Sequence, residues 1–318
     1  MPAKAKKTPA RLTVALTGAT GFLGGHTLEE LIAAGHKVRA LTRRPQPEMD
    51  GVEWVEGSLD DTNSLEALVK GADILMHLAG LTKAITRDQF FDVNVTGSKR
   101  LFSAAQEAKV KHVIHVSSLA AREPRLSHYG ASKAGTELLL TARKWPFSWT
   151  IIRPPGIYGP GDKEILKLLK ATKLGILPAP GGSKNRFSLI HARDLAKALA
   201  ALCDMSNKQV VLEVDDNHPG GYDIKSVARA LPGGSDKKTT IVPLPFPVLG
   251  TLGGINDLLA RAINKPFMLT LSTARYLSHP DWCVKEPRRF KHAGWSPQFD
   301  LEAGLKDTLD WYRKNDLL

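Results

Sequence analysis

The stretch TGATGFLGG, residues 17–25, comes directly after the apolar run Leu12–Leu16 and leads into an amphipathic pattern with helical spacing. A glycine pattern alone is a weak signal, but a strand before it and a helix after it give each glycine a task. Gly18 permits the tight turn, Gly21 lets the backbone approach a pyrophosphate, and Gly24 lets helix and strand pack closely. Thr20, Phe22 and Leu23 complete this candidate cradle. The helix start then offers free N–H groups and the positive end of its dipole to the phosphates.

Beyond the cradle the chain keeps one rhythm. Short apolar runs at 12–17, 37–42, 52–56, 73–78, 112–117 and 149–153 alternate with helical patterns at 24–34, 63–70, 87–108 and 129–143. Parallel strands need crossover connections, so the alternation predicts an α/β fold: a Rossmann-type doubly wound parallel sheet. Residues 11–160 are expected to form this NAD(P)-binding domain. Residues 161–318, rich in Pro and Gly clusters, read mainly as a smaller C-terminal substrate-binding cap, with 187–214 returning to the sheet. Leu301, Leu305, Leu309 and Tyr312 share one face of a closing helix.

Composition narrows the class. Net charge is +12, from 44 basic and 32 acidic residues, but the cations are scattered, so a phosphate-bearing cofactor accounts for them better than nucleic acid does. No stretch approaches the roughly 18 uninterrupted apolar residues that cross a bilayer, which leaves at most a weak peripheral membrane contact. The lysines before Leu12 read as a disordered basic tail over residues 1–10 rather than a signal peptide. Cys203 and Cys283 stand alone, with no metal-ligand cluster nearby, which suits a reducing cytoplasm and predicts neither disulfide nor metal.

The second strand ends in LTRR with no acidic residue at its tip. An acid there grips the ribose of NAD, whereas Arg43, and less directly Arg44, can pair with the 2′-phosphate of NADP. NADP(H) is therefore expected over NAD(H). Further on, SSLAAREPRLSHYGASK sets Tyr129 and Lys133 four residues apart on one face of a helix that comes after a strand end bearing Ser117 and Ser118. A phenol is a poor base near neutral pH. A nearby ammonium and a positively charged nicotinamide would draw it toward phenolate, and Ser118 would hydrogen-bond the reacting oxygen.

TGATGFLG, HLAG (77–80), VNVTG (93–97), HVSS (115–118), YGASK (129–133), RPPGIYGPGD (153–162) and FSLIHARDLAKA (187–198) resemble, in this order, the short-chain dehydrogenase/reductase superfamily in its extended, epimerase/dehydratase-like form. The resemblance spans nearly the whole chain. It implies that Lys133 holds the nicotinamide ribose, that Asn94 orders a water or the helix beside it, and that Ser118 rather than Ser117 is the catalytic serine. It further implies that Leu78, Ala79 and Gly80 line the adenosine side, that Pro154, Gly156 and Ile157 carry backbone contacts to the carboxamide, and that a homodimer is as open as a monomer. His77 and His191 sit in apolar patterns and read as core histidines, Asp194 as a packing residue, and Trp282 and Trp295 as cap core.

Some features depart from that pattern. Where many relatives carry a Gly-Asp turn against adenine, this chain reads GSLDD, so Ser58 and Leu59 take the contact and Asp60 falls short of it. Ser118 and Tyr129 are only eleven residues apart, Phe187 stands where sugar-nucleotide enzymes place a diphosphate-binding arginine, with Arg186 beside it, and Leu119 and Ala120 replace the acidic pair of dehydratases. The stretch 239–263 is apolar and could line a cavity, touch a membrane or, as such stretches ordinarily do, fill a core. These departures favour hydride transfer between the nicotinamide and a secondary alcohol or ketone of an apolar small molecule, as in the hydroxysteroid dehydrogenase and dihydroflavonol reductase branches. A nucleotide-sugar epimerase or dehydratase, and an NADPH-binding structural or sensor protein, are the alternatives.

Overall fold

The computed structural model describes residues 11–173, 175–205, 208–231 and 240–318; the expected basic tail lies outside them. Seven strands form one parallel sheet: β1 (Thr13–Thr17), β2 (Lys37–Thr42), β3 (Val52–Glu56), β4 (Ile74–His77), β5 (His112–Val116), β6 (Ser148–Arg153) and β7 (Gln209–Glu213). Their spatial order is β7-β6-β5-β4-β1-β2-β3, which reverses direction between β1 and β4. In such sheets the crevice beyond the carboxyl ends of the strands at the reversal point takes the ligand.

Helices α1 (Phe22–Ala33), α2 (Thr62–Val69), α3 (Arg87–Phe91), α4 (Ser98–Glu107), α5 (His128–Thr141) and α6 (Ala192–Leu202) cover the sheet. Leu28 and Leu31 of α1 and Leu195, Leu199 and Leu202 of α6 bury against Val14, Leu16 and Ile114 on one face. Leu65, Leu68, Leu101, Phe102 and Leu140 bury against Ala15, Leu75 and Val113 on the other. Alternate residues of one strand thus enter opposite cores, as the two-residue period of a strand requires.

The 87–108 pattern reads as one helix, but the structure interrupts it with a π-helical segment, Asp92–Gly97. A π-bulge shifts the residues it contains by one position relative to the helix face, and it turns Asn94 inward to full burial.

Beyond the sheet, residues 176–180 pair with 240–244 and 186–187 with 281–282. Leu177, Tyr222, Leu301, Leu305, Leu309 and Tyr312 form a second core, with the last four on helix α9 (Leu301–Lys314). Two further helices, α7 (Phe246–Ile263) and α8 (Leu271–Leu277), pack on each other. The ordinary expectation that 239–263 fills a core is overturned for α7. Leu249, Gly253 and Ala260 bury against α8, while Phe246, Val248, Leu252, Ile255, Leu258 and Leu259 stay exposed.

Candidate active site

A cleft of about 690 Å³ opens beyond β1, β2, β3 and β4. It is lined by Gly18, Thr20 and Gly21 after β1, Arg43 after β2, Ser58, Leu59 and Asp60 after β3, and Leu78, Ala79 and Gly80 after β4. The glycines are there for space. Gly18 adopts φ +81°, and a Cβ on it would stand 2.8 Å from the Ala79 nitrogen; one on Gly24 would stand 1.8 Å from the Gly18 carbonyl oxygen. Gly21 caps α1 without a side chain, so the first N–H groups of the helix keep their capacity for a phosphate. These residues fit a dinucleotide.

Not every expected contact lines this cleft. Leu23 and Ile157 pack into the core beside α1 and α6, and Phe22 stacks edge-on against His26. Arg44 lies exposed outside the lining while Arg43 is exposed on it. Asp60, expected to fall short, lines the cleft and takes a hydrogen bond from the Ser58 hydroxyl, which holds its carboxyl below the usual range. Arg100 of α4 lines the cleft and adds to that lowering; 40 residues past Asp60 on a helical pattern, it carries no sequence signal of its place.

The second group of residues gathers at the end of β5 and the start of α5. Ser127 caps α5 by accepting from Gly130 N at 2.9 Å. This sets Tyr129 in the first turn, half-buried with its ring 6.3 Å from that of Phe90, its phenol near enough to Ser118 for that hydroxyl to act on it. Ser117 is occupied elsewhere, donating to Glu137 Oε1 at 2.5 Å. Lys133 is buried and donates from Nζ to the Val116 carbonyl at 2.7 Å. Burial brings its ammonium down to about 8, against a raising influence from Glu137.

The phenol does not behave as the residue types alone suggest. Burial pushes Tyr129 above its usual value and the Ser118 hydrogen bond opposes this; Lys133 makes no comparable contribution. The protein by itself therefore keeps Tyr129 protonated at neutral pH, instead of drawing it toward phenolate.

Asn94 ties the two groups together. Its Oδ1 accepts from Leu81 N at 2.6 Å, and its Nδ2 donates to Leu81 O at 3.0 Å and to Ser132 Oγ at 2.9 Å. The loop after β4 is thus fastened to the residue beside Lys133. Its amide spans from that loop to Ser132 of α5, one residue before Lys133.

On the other side of Ser118 lies an apolar pocket of about 200 Å³, lined by Leu119, Pro155, Gly156, Phe187, Tyr276 and Trp282 among others. Trp282 is therefore both buried and pocket-facing, where the sequence suggested core alone. Burial raises the Tyr276 phenol, and Tyr129 adds to the rise. Leu119 stood out in the sequence as an apolar replacement for an acid, whereas Tyr276 carried no motif. Arg186 also borders the pocket, but its guanidinium donates to Gly220 O at 3.0 and 2.8 Å and to Gly221 O at 2.8 Å. His77 and His191 are core: His77 bridges Thr17 and Ser98 at 2.7 Å each, and His191 stacks on Phe299 with centroids 4.1 Å apart. Asp194 accepts from the Gln298 and Phe299 amides.

Behind Lys133, Glu137 accepts from Arg153 at 2.8 and 2.5 Å, Arg153 faces Glu213 at 3.7 Å, and Arg122 reaches Glu213 at 3.3 Å and Cys283 O at 2.7 Å. These buried charges join α5 to the cap. Glu137→Gln is expected to destabilise the chain by about 3 kcal/mol, since removing one partner strands the other. Chemical denaturation checks it; an unchanged midpoint would mean that the network adds nothing to the fold.

Residues 14–214 match the model of the NAD dependent epimerase/dehydratase family. The chain belongs to that family. A ceramide reductase from Caulobacter vibrioides is 38% identical over 312 residues, covering 96% of each chain. A decarboxylating sterol-4-alpha-carboxylate 3-dehydrogenase from Candida albicans is 26% identical over 352 residues, covering 95% of this chain and 98% of its own. Among solved structures, MoeE5 in complex with UDP-glucuronic acid and NAD superposes with a TM-score of 0.72 over 95% of this chain and 99% of that one, at 21% identity, a likeness of fold. This member of the family is an NAD(P)-dependent oxidoreductase of the extended short-chain type.

Proposed function

We propose that the enzyme transfers hydride between NADP(H) and a secondary alcohol or ketone on an apolar molecule, with Tyr129 handling the proton. The observation that carries this is the apolar pocket whose wall includes Leu119, the residue after Ser118, together with the engagement of Arg186 by Gly220 and Gly221. A nucleotide sugar needs a free cation for its diphosphate, and Arg186, the candidate for that task, is already bonded. The relative named for ceramide supports a lipidic substrate.

When bound, the nicotinamide supplies or takes the hydride. The chain's own part is to orient the carbonyl oxygen between Ser118 and Tyr129 and to move one proton, which is positioning with electrostatic help. Incubating the enzyme with NADPH and long-chain ketones should give steady loss of NADPH absorbance. Conversion of UDP-sugars with no net change in NADPH would overturn the reading.

Arg43 decides the cofactor in this account, because it stands on the cleft at the end of β2 with no acid at the strand tip. Hydrogen bonds to charged groups contribute about 1.5–3 kcal/mol. Arg43→Ala is therefore expected to weaken NADPH about 10-fold to 100-fold and leave NADH nearly unchanged in a fluorescence titration. Equal losses for the two cofactors would assign Arg43 no part in the choice.

A further inference from the structure

Helix α7 turns the wrong face outward for a soluble helix. At 18 residues it is about 27 Å long. Val248, Leu252, Ile255, Leu259 and Ile263 recur at three- and four-residue spacing, so they form one stripe, and each is between 45% and 53% exposed; Leu258 beside them is 69% exposed. No charge interrupts the stripe. Asp257 points the other way, accepting from Leu271 N at 3.1 Å, and Gly253 sits so close to the Thr270 backbone that a Cβ would meet it at 2.5 Å. The helix is thus anchored on its protein side by tight packing and presents an apolar face to the outside. A contiguous patch of this kind marks an interaction site.

Its surroundings narrow the occupant. Arg261 and Lys265 are exposed at the C-terminal end of the stripe, and the exposed Arg87 and Arg275 both act on His128 at the start of α5, beside α8. Ser272 of α8 accepts from His128 N at 2.9 Å, and Tyr276 and Leu277 of α8 line the apolar pocket. Asn264 and Pro266, just past the stripe, border a groove shared with Leu81, Asp92 and Val93, which also line the cofactor cleft. The apolar face therefore stands at the rim of the site. A second copy docked by the same face would bring these cations against their own equivalents, since a two-fold contact pairs a patch with itself. An anionic bilayer offers hydrocarbon to the stripe and phosphate to the cations.

We propose that α7 is a membrane-docking helix, laying the stripe from Val248 to Ile263 into the interface of an anionic bilayer with Arg261 and Lys265 on the headgroups. No helix among the described residues is long and apolar enough to cross a membrane, so α7 lies in the interface plane. The inference rests on the reading of an apolar substrate for its purpose: a lipidic ketone resides in the bilayer, and docking sets the pocket against it.

The full chain would be sedimented with vesicles of phosphatidylcholine alone and of phosphatidylcholine with 30% phosphatidylglycerol. Most of the protein is expected in the pellet with the anionic vesicles, and little with the neutral ones. Leu252→Glu combined with Leu259→Glu, and separately Leu258→Glu, should each reduce the bound fraction at least 10-fold, with turnover of a short water-soluble ketone unchanged. Arg261→Glu with Lys265→Glu should remove the preference for anionic vesicles. Wild-type protein left in the supernatant with anionic vesicles, or glutamate variants that pellet like wild type, would sink the proposal. So would a dimer in light scattering that the same glutamates dissociate. Vesicle binding is read without turnover, so a protein that docks yet ignores apolar ketones would overturn the substrate reading and leave the docking surface standing.

Discussion

Tyr129→Phe lowers turnover by about 10²–10⁴-fold, the usual contribution of a positioned proton donor or acceptor, while NADPH affinity and thermal stability stay close to those of the wild type. The substitution removes one oxygen from a half-buried ring that keeps its contact with Phe90, so packing survives. The loss is confined to the phenol, the group on which Ser118 acts. Because burial raises that phenol, it is protonated at neutral pH and suited to deliver a proton to a carbonyl oxygen as hydride reaches the carbon. Lys133 adds a pH dependence. Burial brings its ammonium down to about 8, so its charge is present below that value and lost above it. Turnover in the reductive direction is expected to fall as pH rises through 8. A Tyr129→Phe enzyme with wild-type turnover on the same ketone would end this account.

The sequence carried much of the fold because parallel strands buried on both faces read as short apolar runs. Val38 to Thr42 and His112 to Val116 are such runs, and the sheet pairs them where the pattern put them. The glycines of the cradle were legible for a different reason: their constraint is local, a positive φ at Gly18 and a close contact at Gly24. The π-helical turn at 92–97 was not legible, since an apolar period cannot register one extra residue whose reason lies in Leu81 and Ser132, far along the chain. The pocket wall was hidden for the same cause. Tyr276 acts on the site of Tyr129 from 147 positions away, and nothing in LSTARYL separates a wall residue from a core one. Glu137 was within reach, as an acid one turn after Lys133 on the same helix face. The direction of the Tyr129 shift was not, because burial outweighs the opposing Ser118 and burial is a property of the assembled chain.

Acid is the condition under which this fold should fail first. His77, His112 and His191 are fully buried, and burial brings their pKa values down to about 3, 4 and 3; His115 is held well below its ordinary value for the same reason. A base whose folded pKa lies below its unfolded one binds fewer protons in the native state. Its stabilisation is complete above the unfolded value of about 6.5 and declines as pH falls toward the folded value. At pH 5 His77, His112 and His191 each cost about 2 kcal/mol, so the three together approach about 6 kcal/mol, within the range of the whole stability of a domain, and His115 acts in the same direction. Asp162, Asp194 and Asp216 act with the opposite sign: burial raises them, so protonation favours the native state and softens the fall at the acid end. The thermal midpoint is therefore expected to hold near pH 7 and drop steeply between pH 6.5 and 5, before ordinary carboxylates titrate. Replacing His77, whose ring bridges Thr17 and Ser98, with glutamine should remove about 2 kcal/mol of that loss at pH 5. A midpoint that stayed level from pH 7 to 5 would mean that these imidazoles gain protons in the folded chain as readily as in the unfolded one.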